Sequence, residues 1–243
     1  MIELVDITKQ FGSKVAVDGL SLRVRRGELV AFLGPNGAGK TTTIKIICGL
    51  LNPTSGSVRI AGHDLSRDGR DARHLLSYVP DQPYLYEKLT GREFLQFVID
   101  MYGIDPATAA RHAAELIELF EMTSYIDGLT ETFSHGMKQR VVFAAALLRD
   151  PQVIVVDEPM VGLDPKSARL VKDLLRARAS AGAAVFMSTH TLEVAEQVAD
   201  RIAIVDRGRL VSCGTLDELR ASMRMQGPLE DMFLRITSES NEG

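Results

Sequence analysis

The sequence has no apolar run approaching the roughly 18 residues that a membrane-spanning helix needs. Its most apolar stretches, 153–156 and 183–187, are short and bounded by polar residues. The start, Met1-Ile2-Glu3, has no basic segment ahead of an apolar core, so no secretory signal is expected. Cysteine is scarce: Cys48 and Cys213 each stand in an apolar segment, outside any CxxC pattern. They read as buried free thiols, a disulfide or metal site being the alternative. Positive charge is not in excess either, with 28 Lys and Arg against 32 Asp and Glu and a net charge of -4. That lacks the basic footprint of bulk nucleic-acid binding, and no nucleic-acid partner is expected. These absences point to a cytosolic protein of ordinary globular composition, 45% hydrophobic and 25% charged, long enough for one lobed unit.

Runs rich in β-branched residues predict strands at 2–5, 20–24, 29–33, 58–60, 153–156, 183–187, 202–205 and 210–211. Helical patterns lie between many of them, which predicts an α/β fold with a mixed, mainly parallel sheet. The early strands, joined by short Gly-containing turns, are expected to be antiparallel. From 87 to 150 the pattern is helical only. Thr90 with Glu93 forms a capping box ahead of Phe94, Phe97, Val98 and Met101. Asp105-Pro106 starts a second helix that carries Leu116, Leu119 and Phe120, and a third is expected over about 136–148. The expected organisation is a nucleotide-binding core of 1–86 and 151–215, an inserted helical subdomain at 87–150, and a short helical tail at 216–243 that frays from 237.

The stretch "GPNGAGKT" fits G-x-x-x-x-G-K-[ST], with an apolar strand before it and the amphipathic run 42–50 after it. Gly34, Gly37 and Gly39, spaced by Pro35, Asn36 and Ala38, let the backbone wrap closely enough to turn its N–H groups toward phosphate oxygens. Lys40 supplies a point charge to the terminal phosphates, Thr41 a hydroxyl for Mg²⁺, and Thr42 opens the helix. A glycine-rich turn with a chance lysine is the competing reading, and the flanking strand and helix weigh against it. Downstream, "VIVVDEP" is a buried strand that carries Asp157 to its C-terminal end, where ligands of open α/β sheets sit. Asp157 can hold the Mg²⁺ shell and Glu158 can act on the attacking water.

With these residues in place the chain resembles, over almost its full length, the nucleotide-binding subunit of ATP-binding-cassette (ABC) transporters. "FSHGMKQR" at 133–140 is similar to the family's L-S-G-G-Q signature. "VGLDP" is similar to the D-loop, with Asp164 its carboxylate, and His190 in "STHTLEVA" matches the switch histidine. Gln82 in "YVPDQP" matches the Q-loop glutamine and Phe11 in "TKQFG" the aromatic on which adenine stacks. The resemblance implies a P-loop NTPase core with ATP and Mg²⁺ as cofactors. It also implies a head-to-tail pairing of two ATPase domains, identical or homologous, on integral membrane permease subunits at the cytoplasmic face of the cell membrane.

It further implies that Ser134 and the Gly136 N–H reach the γ-phosphate held by the partner's Lys40, and that Glu158 is the general base. His190 then contacts the γ-phosphate, and Gln82 contacts Mg²⁺ or water and reports nucleotide state to the membrane subunit. The signature departs from the family pattern at His135 and Met137. "PYLYEKLT", with Tyr84, Leu85 and Tyr86, falls where the family docks a short helix of its membrane subunit; packing beneath the helical lobe is the alternative. The short tail, without a regulatory β-domain, leans toward an exporter. Two other readings stand beside the transporter subunit: a soluble ABC ATPase acting on ribosomes or DNA, and a small-molecule kinase on the same phosphate loop. The interval from Lys40 to Asp157 holds neither a coiled-coil insertion nor a second cassette, and a kinase has no use for "SHGM".

Overall fold

The computed structural model describes residues 1–223 and Phe233. In chain order the first elements are β1 (Ile2–Phe11), β2 (Lys14–Val24), β3 (Leu29–Leu33), α1 (Lys40–Ile47), β4 (Ser55–Ile60), β5 (His63–Asp64), α2 (Gly69–Leu75) and β6 (Leu76–Val79). The helical stretch follows: α3 (Gly91–Tyr102), α4 (Pro106–Leu119), a single 3-10 turn at Thr130–Thr132, and α5 (His135–Leu147). The chain then alternates through β7 (Val153–Asp157), α6 (Pro165–Ser180), β8 (Ala184–Thr189), α7 (Leu192–Val198), β9 (Arg201–Asp206), β10 (Arg209–Gly214) and α8 (Leu216–Met223).

Two sheets result. A four-stranded antiparallel sheet has the order β2-β1-β4-β5, and a six-stranded sheet the order β10-β9-β3-β8-β7-β6. Within the larger sheet β9, β3, β8, β7 and β6 are parallel. Its central strands β3, β8 and β7 are buried on both faces, which is why they read as nearly unbroken apolar runs. Alternation along them divides the core. Leu29, Ala31, Leu33, Ile154, Val156, Val185 and Met187 point to one apolar cluster, shared with residues of α3 to α7. Val30, Phe32, Val153, Val155, Ala184 and Phe186 point to the other, shared with α1 and the antiparallel sheet.

The helical stretch forms as its caps dictate. The Thr90 hydroxyl accepts from the Glu93 N–H while the Glu93 carboxylate accepts from the Thr90 N–H, closing the box at α3. Asp105 accepts from the Thr108 N–H at α4, with Pro106 at the first helical position. Several expectations need correction. Ile2–Phe11 and Lys14–Val24 are far longer than the short strands expected, because each pairs across a hairpin. Helix α2 and strand β6 were not anticipated. The expectation of a mixed sheet holds, because β10 runs antiparallel to β9, with only a two-residue turn joining them. The helix expected from 42 begins at Lys40. Both cysteines are free, but only Cys48 is buried; Cys213 is half-buried beside the Arg201 guanidinium. Residues 224–232 and 234–243 of the expected tail lie outside the described residues.

Candidate active site

Parallel pairing brings the C-terminal ends of β3, β8, β7 and β6 to one edge of the larger sheet. There Leu33 stands opposite Thr189, Asp157 opposite Ser188, and Val79 opposite Val156. The phosphate loop leaves β3 at this edge. A Cβ on Gly34 would lie 2.4 Å from the Val205 carbonyl oxygen, so only glycine lets the loop pass β9. At the far end Gly39 occupies the N-cap of α1, where it offers no side chain to the first-turn N–H groups. Those donors are left for an anion, and the helix dipole favours one there.

Lys40 is buried, and its ammonium donates to the carbonyl oxygens of Gly34 at 2.7 Å and Pro35 at 3.2 Å. Burial holds its pKa below the usual lysine range, against the opposing pull of Glu158 and Asp157. Across the cavity, Glu158 Oε1 lies 3.9 Å from the Lys40 nitrogen. Its other oxygen accepts from the His190 N–H at 3.2 Å and meets His190 Nδ1 at 2.8 Å. Glu158 adopts a left-handed backbone, φ +46°, uncommon outside glycine and costly enough to need surrounding restraint. Ser188 supplies part of that restraint, accepting the Glu158 N–H at its hydroxyl (3.0 Å) and at its carbonyl (3.2 Å).

The same Ser188 hydroxyl donates to Asp157 Oδ1 at 2.5 Å. Asp157 is 1% exposed, and its Oδ2 has no hydrogen-bond partner among the described residues. Burial raises the pKa of its carboxyl, the Ser188 hydroxyl pulls it back, Asp81 raises it further, and the nearby Thr41 hydroxyl lowers it. An orphaned, buried carboxylate oxygen beside a threonine hydroxyl is the hard-oxygen donor set that suits Mg²⁺. No group of three or more His, Cys, Asp or Glu converges among the described residues, so no all-protein metal cage is present. A Mg²⁺ ion completed by substrate phosphates and water needs no such cage.

The cavity holding these groups measures about 320 Å³ and is walled by Pro35, Asn36, Gly37, Gly39, Thr41 and Thr42 of the loop, with Asp81, Asp157 and Glu158 facing them. Lys14 and Ala16 close one side. Phe11 pairs with Lys14 across the hairpin and is half exposed, with the Lys9 ammonium 5.1 Å from its ring centroid. Gln82 is exposed and does not line the cavity; its neighbour Asp81 does. The sequence reading missed Asp81, Lys14 and Ala16 of the cavity wall and Ser188 behind it.

Ser134, Gly136 and Asp164 do not line this cavity. Ser134 is the exposed N-cap of α5 and accepts from the Met137 N–H at 3.3 Å. His135 donates from Nε2 to the Val161 carbonyl oxygen at 3.2 Å and packs so near Gly162 that a Cβ there would stand 2.8 Å from its ring. Asp164 caps α6, accepting from the N–H groups of Lys166 and Ser167 and from the Ser167 hydroxyl. The Ser167 hydroxyl, first among these partners, holds its carboxyl below the usual range. The chain therefore carries a second anion-friendly helix end, tied to the segment after Glu158, that its own phosphate loop does not use.

A third feature lies beside the helical stretch. Tyr84 is 75% exposed and Tyr86 45%, and the Tyr86 ring meets Phe97 edge-on at 5.3 Å, while Leu85 is buried. Next to them Leu50, Tyr78, Tyr84, Phe94, Met101 and Tyr102 line an apolar groove of about 360 Å³.

Comparisons with known proteins agree on one relationship. Residues 17–161 match the family described as "ABC transporter". The chain is 40% identical over 222 residues to the daunorubicin/doxorubicin resistance ATP-binding protein DrrA of Streptomyces peucetius, covering 91% of this chain and 67% of that protein. It is 33% identical over 240 residues to the ABC-type transporter ATP-binding protein EcsA of Bacillus subtilis, covering 98% and 97%. A solved ATP-binding subunit of an ABC transporter superposes with a TM-score of 0.93 at 33% identity, covering 97% of this chain and 99% of that one. A dimeric ATP-binding cassette solved in a post-hydrolysis state with ADP and Pi gives 0.80 at 27% identity, covering 89% and 99%.

Proposed function

The chain belongs to the ABC transporter family as an ATP-binding, ATP-hydrolysing subunit, and we propose that it works as one half of a head-to-tail pair driving a separate membrane permease. The observation that carries this is the position of Glu158, held by His190 on one side and facing Lys40 across the phosphate cavity on the other. ATP enters with its phosphates against the loop N–H groups and the α1 N-terminus, and its adenine against the ring of Phe11. Lys40 exchanges the carbonyls of Gly34 and Pro35 for phosphate oxygens. Glu158 takes a proton from the attacking water, and His190 holds Glu158 while its exposed ring reaches the γ-phosphate.

Thr41 and Asp157 would hold Mg²⁺, which when bound offsets the charge on the phosphate oxygens. Ser134 and the Gly136 N–H, unused in their own chain, close over the second copy's triphosphate. Asp164 orders the segment between the two sites. Residues 1–86 and 151–215 serve as the nucleotide-binding core, 87–150 as the helical subdomain that carries the signature, and the residues from 216 as a tail. The exposed tyrosines and the adjoining groove suit a short amphipathic helix of the permease, since exposed aromatics beside an apolar cleft are apt interface material. No described helix is long and apolar enough to cross a membrane. Pairing with a membrane permease puts the site of action at the cytoplasmic face of the cell membrane, where the chain sits peripherally. The resistance and Nod-factor export proteins among its relatives favour export.

Replacing Glu158 by Gln tests the core of this reading. Hydrolysis by the permease-bound protein falls by about 10²- to 10⁴-fold, the contribution of a positioned base, while ATP binding persists and the pair stays closed. Capture of the tagged variant with Mg-ATP from detergent-solubilised membranes then brings down a polytopic membrane protein. Ribosomal or nucleic-acid partners alone would move the assignment to a soluble ATPase.

A further inference from the structure

We propose that Glu121 is a positioning residue for pairing: it clamps the helical stretch to α6 and so sets the direction in which α5 offers Ser134 and Gly136 to the second copy. The proposal rests on the head-to-tail pairing read above and adds a residue that lies in none of its motifs. It starts from a local misfit. Helix α4 ends in a Schellman motif, with the Met122 N–H bonded to the Ile117 carbonyl and the Glu121 N–H to that of Glu118, each at 2.9 Å. The residue at the bend of such a motif takes a left-handed backbone and is usually glycine; here it is Glu121, at φ +53°. A negative charge also opposes the dipole at a helix C-terminus. Glutamate is thus unfavourable here on two local counts, and such conflicts are expected where a side chain serves a role beyond its own element.

The contacts of its carboxylate define that role. Both oxygens accept from the Lys166 ammonium in the first turn of α6, at 2.6 and 2.8 Å. One of them also faces the Arg140 guanidinium of α5 at 3.9 Å. The Lys166 hydrogen bond holds the Glu121 carboxyl below the usual carboxylate range. Arg140 in turn donates to the Phe120 carbonyl at 3.0 Å and to the Ser167 hydroxyl at 2.7 Å, and that hydroxyl donates to Asp164. Glu121 therefore stands between two cations, Arg140 from the helical stretch and Lys166 from the core. Helix α5 is held to the segment after Glu158 at two points. His135, in its first turn, meets the Val161 carbonyl, and Arg140, five residues and about 7.5 Å further along the axis, meets Ser167. A single attachment lets a helix pivot, whereas two fix its direction, and a helix end that must meet another chain's phosphates needs a fixed direction. The side chains of Lys166 and Glu121 are 73% and 52% exposed, and ion pairs so exposed add little to stability. The clamp should accordingly be felt in pairing and not in folding.

Glu121→Gly separates these two effects, because glycine relieves the left-handed backbone while removing the carboxylate. The comparison is made in full chains that also carry Glu158→Gln, so that ATP persists. In sedimentation velocity with Mg-ATP, the dissociation constant of the pair should rise roughly tenfold, within the range for residues that act on a site through others. Fluorescent-nucleotide binding at concentrations too low for pairing should be unchanged, and the urea midpoint should stay level or rise. Lys166→Ala should weaken pairing in the same way, and the double variant should pair no worse than Glu121→Gly, since both changes remove one interaction. The proposal is overturned by unchanged pairing, by a fall in the urea midpoint or in single-chain nucleotide affinity, or by losses that multiply in the double variant. If chains with Glu158→Gln alone do not pair in Mg-ATP, it is the head-to-tail reading that fails. Should Glu121→Gly not fold, Lys166→Ala decides: weaker pairing at an unchanged urea midpoint supports the clamp, and any other result overturns it.

Discussion

Gly39 holds φ at +100°, and a Cβ there would stand 2.4 Å from the Ala16 carbonyl oxygen, a contact that no rotamer change relieves. Gly39→Ala must therefore shift the start of α1 or strain the loop. We expect a stability loss of about 1–3 kcal/mol by chemical denaturation and weaker ATP binding by calorimetry; unchanged ATP affinity would show that loop geometry matters less than argued. His190 acts differently, because it is exposed and its ring contact is with Glu158. His190→Ala should leave ATP affinity nearly intact and lower kcat by about 10²-fold, the scale of losing one group poised at the transition state. Equal losses in binding and turnover would mean that the histidine merely supports the fold. The phosphate loop was legible in the sequence because its chemistry is local, eight consecutive residues between a strand and a helix. Asp81 was not, because the choice between two adjacent residues depends on the register of β6 against β7, and no local pattern encodes that register. Ser188 escaped for a similar reason: its partners Asp157 and Glu158 belong to another strand, about thirty positions away.

Helix α3 was legible from its cap and from the spacing of its apolar residues, and the cap gives a measurable handle. Thr90→Ala removes a hydroxyl that accepts the Glu93 N–H and should cost about 1 kcal/mol in urea unfolding at neutral pH. The Thr90 N–H and hydroxyl hold the Glu93 carboxyl below the ordinary range. A depressed pKa contributes stability that is present above the unfolded value, about 4.3, and lost as pH falls through the folded one. The unaltered protein should thus lose part of this helix's stability as the pH drops below about 4.3. Thr90→Ala should show a shallower loss over that window, since its Glu93 titrates closer to the unfolded value. Identical slopes would mean that the box contributes nothing. Strand β6 was illegible for the opposite reason. "LSYV" is four residues with a serine at its second position, and it is a strand because β7 offers it an edge. Likewise β10 lies beside β9 because a two-residue turn permits only antiparallel return, whatever its apolar pattern suggests.

At the scale of the whole molecule, the proposed head-to-tail pairing makes the α5 N-terminus and the phosphate loop two halves of one site, which a single chain does not bring together. The interval after Glu158 ties them mechanically, since His135 is bonded to Val161 and Asp164 caps α6 a few residues on. In a twofold pair each nucleotide would meet Lys40 of one copy and Ser134 of the other, a relation that mixed variants can expose. Lys40→Ala disables the loop, and Ser134→Arg places a bulky cation where a small hydroxyl caps the helix. Each variant alone should hydrolyse ATP at background level. Mixed in equal amounts with the permease, half of the pairs contain one of each, and each such pair has one intact site, formed by Lys40 of the Ser134→Arg chain and Ser134 of the Lys40→Ala chain. If the two sites act independently, activity should return to about a quarter of the unaltered rate, as random assortment of a twofold dimer requires. A mixture that stays at background would rule out independent sites shared head to tail. Activity in Ser134→Arg alone would mean that the signature helix does not close over ATP at all.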